Sequence, residues 1–426
     1  MKYLKTFLIG LSFCFAQSLN QDEKEIQKFI ENKTSEAIDL LEKIVNINSG
    51  TLNIKGNQKV GKILQKELDK LGFNTYWVTY PKEVKRAGHL FAEMRGGKGK
   101  KITMVGHLDT VFEKDHPFQK FVRKGNKAYG PGVDDMKGGD ISMLYIMKAL
   151  HHIGKLKDMN LTLVFIGDEE KLGAHPSIVR KELVDAGKWA DIGLGFEGAV
   201  GIETGTIARR SASSWILTTT GIQGHSSQVF SETLGYGAIF EASRIINSFR
   251  EELAEEEYLT FNPGVIVGGT DTNYDPVNAT GTAFGKTNVV SQLVTVHGGI
   301  RTISIKQLNE AMKSMKKIVS NNLPGTSATI EFKTSYPPME PTKANYALLD
   351  KLEEVNIALG YGSLEPLDPS KRGAADISFI APYVDAALAG MGPEGQGAHS
   401  EDEWLDLTSF PKTTTRSAIL IYRLGN

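Results

Sequence analysis

The chain has 426 residues, enough for two or three domains with ample core, and its 49 basic and 50 acidic residues leave a formal net charge of -1. A charge this close to zero favours neither nucleic acid nor an anionic membrane, and we expect neither as a partner. Cys14 is the only cysteine. If the segment that contains it is removed, disulfides and cysteine-ligated zinc are excluded, and His, Asp and Glu remain to hold a metal.

The N-terminus has the pattern of a secretory signal peptide. Two lysines precede an apolar stretch over residues 7–16, which ends in the small-x-small pattern Cys14-Phe15-Ala16. We therefore expect residues 1–16 to be removed and the protein to be secreted or periplasmic. A lipoprotein centred on Cys14 is disfavoured by the large Phe13 before it, and the stretch is short for an uncleaved anchor. We expect no membrane span in the mature chain.

Residues 22–47 show the apolar spacing of a helix, and strands and helices then alternate to about residue 206. This alternation is typical of a mostly parallel sheet flanked by helices, in which ligands bind beyond the carboxyl ends of the strands. Four short apolar runs, which we interpret as buried strands, lead to histidine or carboxylate. The runs and the residues that follow are 102–106 with His107 and Asp109, 161–166 with Asp168, Glu169 and Glu170, 192–196 with Glu197, and 386–391 with His399. The sequence therefore predicts a metal site at one edge of the sheet.

A fifth element is the Gly/Pro-rich loop at 130–139, after which a helical pattern continues to about residue 150. Asp134 and Asp135 are predicted at the N-terminus of this helix, where the backbone dipole favours negative charge. A carboxylate held there is rigid and ionised, which suits a ligand shared by two cations. Taken alone, the pair is no more than a helix cap, and the acids at 168–170 are a solvated charge cluster.

From residue 207 to 336 the order of elements changes. The patterns predict a strand at 214–221, a helix at 234–255, strands at 264–268 and 289–296, a helix at 305–322 and a strand at 328–333. This β-α-β-β-α-β order is that of a ferredoxin-like unit. Because His399 lies after it, we expect residues 207–336 to be inserted into an α/β domain formed by residues 17–206 and 337–426.

Five motifs together resemble the M20 metallopeptidase family and, within it, the glutamate carboxypeptidase branch. They are Gly-His-Leu-Asp-Thr-Val at 106–111, Gly-Pro-Gly-Val-Asp-Asp-Met-Lys-Gly-Gly at 130–139, Asp-Glu-Glu at 168–170, Phe-Glu-Gly at 196–198 and Ala-His-Ser at 398–400. The resemblance covers essentially the whole chain after residue 16. It implies an α/β fold of the di-zinc peptidase type, with the ferredoxin-like α+β insertion as the dimerisation and lid domain of a homodimer.

The resemblance also implies the ligands of two divalent metal ions, most readily Zn²⁺. One ion is assigned to His107, Asp135 and Glu197, and the other to Asp135, Glu170 and His399. Asp135 is chosen as the bridging ligand over Asp134 because it directly precedes the x-Lys-Gly element. Glu169 matches the general base, and Asp109 matches an acid hydrogen-bonded to the far nitrogen of His107.

The chemistry of these residues agrees with that assignment. Two cations about 3.5–4 Å apart polarise a carbonyl and generate hydroxide near neutral pH. Imidazole and carboxylate ligands suit zinc, with manganese and cobalt as alternatives. A glutamate beside the metals can take a proton from water and return it to the leaving amine. Taken singly, His107 would be a core histidine and His399 an exposed loop residue.

Three residues of the insertion match further positions of the family. The resemblance implies that His225 reaches the partner subunit's site and stabilises the tetrahedral oxyanion. It also implies that Asn288 and Arg301 bind the substrate's terminal carboxylate. Without the resemblance, His225 is a surface histidine and Arg301 a strand-end ion pair. The acid common before this arginine is absent, because Gly-Gly-Ile precedes it at 298–300, so a preference for glutamate is left open.

Within the family, a glutamate at the position of Glu197 accompanies carboxypeptidases and deacylases. We therefore expect a di-metal carboxypeptidase or amidohydrolase that acts on a peptide or an N-acyl amino acid beside a free carboxylate. An N-acyl-amino-acid deacylase is the alternative, and a catalytically silent metal-binding protein is a more distant one. The tandem Arg209-Arg210 fits either the substrate route or the domain junction, and the sequence does not choose between them.

Overall fold

The computed structural model describes residues 18–276 and 278–426, so the predicted signal peptide, residues 1–16, lies outside the described residues. The α-helices are α1 (Gln21–Val45), α2 (Ile54–Lys70), α3 (Gly138–His152), α4 (Pro176–Val179), α5 (Lys181–Trp189), α6 (Ala238–Leu253), α7 (Ile305–Val319), α8 (Lys343–Ala358), α9 (Ile377–Ile380) and α10 (Ser409–Gly425). Within the described ranges, none of them combines the length and the apolar character needed to cross a bilayer.

The strands are β1 (Asn74–Val78), β2 (His89–Met94), β3 (Lys101–His107), β4 (Val122–Lys124), β5 (Lys127–Tyr129), β6 (Asn160–Ile166), β7 (Ile192–Gly195), β8 (Thr204–Gly205), β9 (Ala212–Gly221), β10 (Thr260–Gly269), β11 (Asp271–Asp275), β12 (Thr280–Phe284), β13 (Leu293–Arg301), β14 (Thr326–Tyr336), β15 (Glu365–Pro366), β16 (Ala386–Leu388), β17 (Gly395–Gln396) and β18 (Trp404–Asp406).

The central sheet has six strands in the order β1-β2-β6-β3-β7-β16. Strands β6, β3, β7 and β16 pair in parallel, and β2 runs antiparallel between β1 and β6. Successive side chains point to opposite faces, so Met104 joins the core under α1, α3 and α10, and Val105 joins the smaller core under α5 and α9. The predicted α/β fold with a mostly parallel sheet is confirmed.

The first and last helices are joined through one buried acid. Glu23 forms a capping box with Asn20 at the start of α1, each side chain bonding the other residue's backbone N–H at 2.9 Å. The same Glu23 carboxylate accepts from Nε of Arg423 in α10 at 2.6 Å. The contact fixes α1 against α10, the C-terminal helix that packs beside it.

The second sheet has four antiparallel strands in the order β10-β13-β9-β14, and α6 and α7 pack against it. Its core, which includes Trp215, Leu217, Phe249 and Val296, is separate from that of the central sheet. The element order is the predicted β-α-β-β-α-β, with an unpredicted hairpin, β11–β12, between β10 and β13. The boundaries of an inserted domain at residues 207 and 336 stay a prediction.

Strand β13 extends beyond the predicted strand at 289–296, because it covers Leu293–Arg301 and continues through two glycines. The indole of Trp215 in β9 lies against Gly298, where a Cβ atom would come within 2.2 Å of the ring. Glycine is therefore needed here for close packing inside a strand, and it does not mark a turn. The strand therefore continues past the two glycines and ends at Arg301.

His89, the first residue of β2, is buried and neutral. Its Nδ1 accepts from the N–H of Gly167 at 3.2 Å, so Nε2 carries the proton and donates to the carbonyl of Val179 at 2.8 Å. Burial, together with the positive charge of Arg180, lowers the pKa of His89 from 6.5 to about 4.

We expect His89 to make the fold sensitive to acid. Below pH 6.5 the unfolded chain takes up a proton that the folded chain accepts only near pH 4, so roughly 3 kcal/mol of stability is lost as the pH falls through that window. Urea unfolding of His89→Gln at about pH 7 and about pH 4.5 should show a smaller acid loss than the wild type. His151→Gln, at an exposed position, is the control. An undiminished acid loss in His89→Gln would contradict this.

Candidate active site

Three neighbouring strands of the central sheet, together with a loop that follows a strand of another sheet, bring the predicted site residues to one edge. Strand β3 ends at His107, β6 is followed by Glu169 and Glu170, β7 is followed by Glu197, and the loop after β17 carries His399. A cleft of about 460 Å³ opens at this edge, and all of these residues except His107 line it. His107 lies directly beneath the cleft, where it is buried.

Asp135 lies between the two histidines. Its Oδ1 is 3.0 Å from Nε2 of His107, and its Oδ2 is 3.2 Å from Nε2 of His399. Nε2 of His399 is also 3.1 Å from Oε2 of Glu170. Donor atoms of His107, Asp135 and Glu170 all lie within 4.8 Å of one another. A carboxylate with one oxygen turned to each imidazole is a donor set that fits two cations.

The acids of this cluster, Asp135 and Glu170, favour positive charge at the neighbouring histidines. Hydrogen bonds to Asp135 and Glu170 raise the pKa of His399 to about 10. Burial disfavours charge on His107 and on Asp135, but the hydrogen bond between them and the charges of neighbouring groups together outweigh it, so the pKa of His107 lies above its ordinary value and the pKa of Asp135 below. The acids therefore stabilise positive charge at both imidazoles, as they would stabilise a metal ion.

Asp109 organises this edge through its carboxylate and its backbone. Its Oδ1 and Oδ2 accept from the backbone N–H groups of Glu169 at 3.0 Å and Glu170 at 3.1 Å, and Oδ2 also accepts from the hydroxyl of Thr51 at 2.7 Å. Nδ1 of His107 donates to the Asp109 carbonyl at 3.1 Å, while the carboxylate is 3.6 Å away. Either partner directs Nε2 of His107 towards Asp135.

Two arginines contact Glu197. Arg209 donates to its Oε2, and Nη2 of Arg372 lies 3.4 Å from the same atom. Arg209 is buried and also donates to the carbonyls of Gly373 at 2.8 Å and Ala374 at 3.1 Å. Arg209, which the sequence left unassigned, thus lies in the cleft, and Arg372 is a cleft residue that no sequence motif singled out.

Glu403 is a further residue that the sequence motifs missed. It is buried, and its carboxylate accepts from the backbone N–H groups of Gly132 at 2.9 Å, Asp134 at 2.9 Å and Asp135 at 3.0 Å. These groups belong to Gly132 and to the turn Val133–Lys137 that follows it and precedes α3, whereas both acids were predicted to open that helix. The position of Asp135 is therefore fixed by an acid of the C-terminal segment.

The three predicted residues of the insertion lie at two places. Arg301 lines the cleft, whereas His225 and Asn288 are absent from its walls. The backbone N–H of Ser226 donates to the carbonyl of Asn288 at 2.9 Å, and Nδ1 of His225 lies 2.8 Å from Oγ of Ser227. His225 therefore lies at an exposed position outside the walls of the cleft.

Comparisons with known proteins agree on one family. The model of Peptidase family M20/M25/M40 matches residues 103–423. Carboxypeptidase G2 from Pseudomonas sp. is 27% identical and aligns with 91% of this chain and 89% of its own. Succinyl-diaminopimelate desuccinylase from Gluconobacter oxydans is 24% identical, over 82% and 87%. The crystal structure of aminopeptidase PepT from Bacillus cereus superposes with a TM-score of 0.71 at 16% identity, covering 92% and 99%, which shows a shared fold.

We expect Glu403→Gln to weaken metal binding. Its amide offers one acceptor oxygen and two donor hydrogens, so at least one backbone N–H of the turn loses its partner and Asp135 is held less firmly. Loss of such an outer partner costs about 10–100-fold in metal affinity. Competition with a chromogenic chelator measures the affinity for Zn²⁺. Glu401→Gln, at an exposed position two residues earlier, is the matched control, and unchanged affinity in Glu403→Gln would refute the assignment.

Proposed function

This chain belongs to peptidase family M20/M25/M40, and we propose that its cleft hydrolyses the amide bond next to a free carboxylate in a peptide or an N-acyl amino acid. The protein is a metal-dependent peptidase or amidohydrolase. The observation that carries the proposal is the position of Asp135 between His107 and His399, with one oxygen turned to each.

The donor set supports two divalent cations, of which Zn²⁺ fits its nitrogen and carboxylate ligands best. One cation would be held by His107, Asp135 and Glu197, and the other by Asp135, Glu170 and His399. When bound, the pair would polarise the scissile carbonyl and acidify the attacking water. Arg209 supports this assignment, because it holds the Glu197 carboxylate at the cleft through Oε2.

Glu169 would act as the general base. Its neighbour Glu170 contacts His399, and Glu169 lines the cleft beside it. Of these two successive residues, Glu170 would therefore serve as a metal ligand and Glu169 as the proton carrier. Glu169 would take a proton from the attacking water and deliver it to the leaving nitrogen.

The arginine side chains of the cleft support a substrate with a free carboxylate. Arg301 and Arg372 both line it, and a planar guanidinium binds a carboxylate through two parallel hydrogen bonds. We assign that carboxylate to Arg301, with Asn288 supplied by a second subunit. The alternative activity is removal of an acyl group from an N-acyl amino acid, which the similarity to a desuccinylase favours. A silent binding protein fits less well, because every predicted ligand and the base are present.

A homodimer would bring His225 to the partner's cleft, where it would stabilise the oxyanion. An exposed aromatic cluster supports an interface near this loop: Phe230 is 5.2 Å from both Tyr236 and Phe240, measured between ring centroids. Phe230 and Phe240 are more than half exposed, at 56% and 51%. Exposed apolar patches of this kind mark interaction surfaces. We also propose that the enzyme works outside the cytoplasm, on the strength of residues 1–16.

We expect zinc-loaded protein to release free amine from some members of a panel of C-terminal dipeptides and N-acyl amino acids. Glu169→Gln should lose at least about 100-fold in kcat while it still binds metal, because only the proton carrier is changed. A chelator should abolish the wild-type activity and added Zn²⁺ restore it. Activity in Glu169→Gln equal to that of the wild type would mean that another residue is the base.

Mixed dimers test whether His225 acts across the interface. His225→Ala and Glu169→Gln should each be nearly inactive, whereas an equal mixture after subunit exchange should regain about a quarter of the wild-type activity. In each mixed dimer, one cleft combines an intact Glu169 with the partner's His225. No recovery, with exchange shown by mass spectrometry, would place the action of His225 within its own subunit or outside the reaction.

A further inference from the structure

Tyr336 connects the second sheet to the segment that carries Glu169. It is the last residue of β14, an edge strand of the second sheet. A register shift between Thr334 and Tyr336 leaves an extra residue in β14 opposite β9, and such a bulge redirects the side chain that follows. The hydroxyl of Tyr336 donates to the backbone carbonyl of Glu169 at 2.7 Å.

The hydroxyl is held from its other side by Arg180. Nη2 of this buried arginine lies 3.4 Å from the phenol oxygen, and the guanidinium is itself fixed by Asp168 and Asp376, each at 2.6 Å. Because Arg180 can only donate, the phenol oxygen accepts from it and its own proton is directed to Glu169. The ring packs against Phe379 with 5.1 Å between centroids. Tyr336 is thus fixed in both position and direction.

The backbone of Glu169 is consequently held on both sides. Its N–H donates to Oδ1 of Asp109, the residue that also orients His107, and its carbonyl accepts from Tyr336. We propose that Tyr336 is a positioning residue for Glu169, which makes the placement of the general base depend on the second sheet. This inference rests on the proposed role of Glu169.

The connections between the two sheets make Tyr336 sensitive to their relative orientation. Arg209 and Met339 exchange backbone hydrogen bonds of 2.9 Å in both directions, so the incoming and outgoing connections lie side by side. Two prolines follow Tyr336 at 337 and 338, and their fixed φ angles restrict the outgoing connection. A rotation of the second sheet about this joint would act directly on the hydrogen bond to Glu169.

Tyr336→Phe tests this inference, because it removes the hydroxyl and keeps the ring against Phe379. We expect kcat to fall about tenfold, which corresponds to about 1.4 kcal/mol, with KM changed less than about twofold. Zn²⁺ affinity and thermal stability should stay close to those of the wild type. Hydrogen exchange, followed by mass spectrometry of the metal-loaded protein, should become faster in the peptide covering residues 168–172. Tyr383→Phe, at an exposed position, is the matched control.

The outcomes separate this inference from the proposed function. A wild type that hydrolyses no substrate would refute the proposed function, whereas the exchange measurement would still test the contact between Tyr336 and Glu169. An unchanged kcat or unchanged exchange in Tyr336→Phe would overturn the inference. A rise in KM alone would show that Tyr336 contacts substrate instead. A joint loss of stability, metal affinity and kcat would show a purely structural role.

Discussion

The site depends on one constraint of the parallel sheet, which is that neighbouring strands running in the same direction end at the same edge. Strands β6, β3 and β7 are adjacent, so residues 60 or more positions apart in the chain become neighbours in space without any local contact between them. The sheet supplies the coarse placement. The hydrogen bonds of Asp109, Glu403 and Tyr336 then fix the backbone of Asp135 and Glu169 within it.

Acidic side chains are concentrated at this edge, and several of them are paired with fixed donors. Asp109 and Glu403 are buried and accept backbone N–H groups, while Asp168 and Asp376 share Arg180. An unpaired buried carboxylate would be neutralised by protonation, and its value as a ligand or as a structural acceptor would be lost. The surrounding donors oppose this effect of burial, which still raises the pKa of Glu403 to about 7 and the pKa of Asp376 to about 6.

The residues predicted as metal ligands could be located in the sequence because each follows a strand or belongs to a motif with a recognisable local pattern, and their role as ligands stays a prediction. His107 and Glu197 directly end or follow a buried strand, and Asp135 belongs to the Gly-rich loop. Glu403 and Tyr336 have no such local signal, since their roles arise from contacts with residues 268 and 167 positions away. The extent of β13 was missed for a related reason, because the space that Gly298 leaves is filled by Trp215 of another strand.

The paired backbone hydrogen bonds between Arg209 and Met339 have a consequence for the history of such a chain. A segment whose two ends lie side by side leaves and re-enters the surrounding fold at one point, as a short loop does. About 130 residues can therefore be gained, lost or exchanged at this point while the course of the central sheet stays the same. Substrate range and subunit assembly can then diverge among related proteins faster than the metal ligands do.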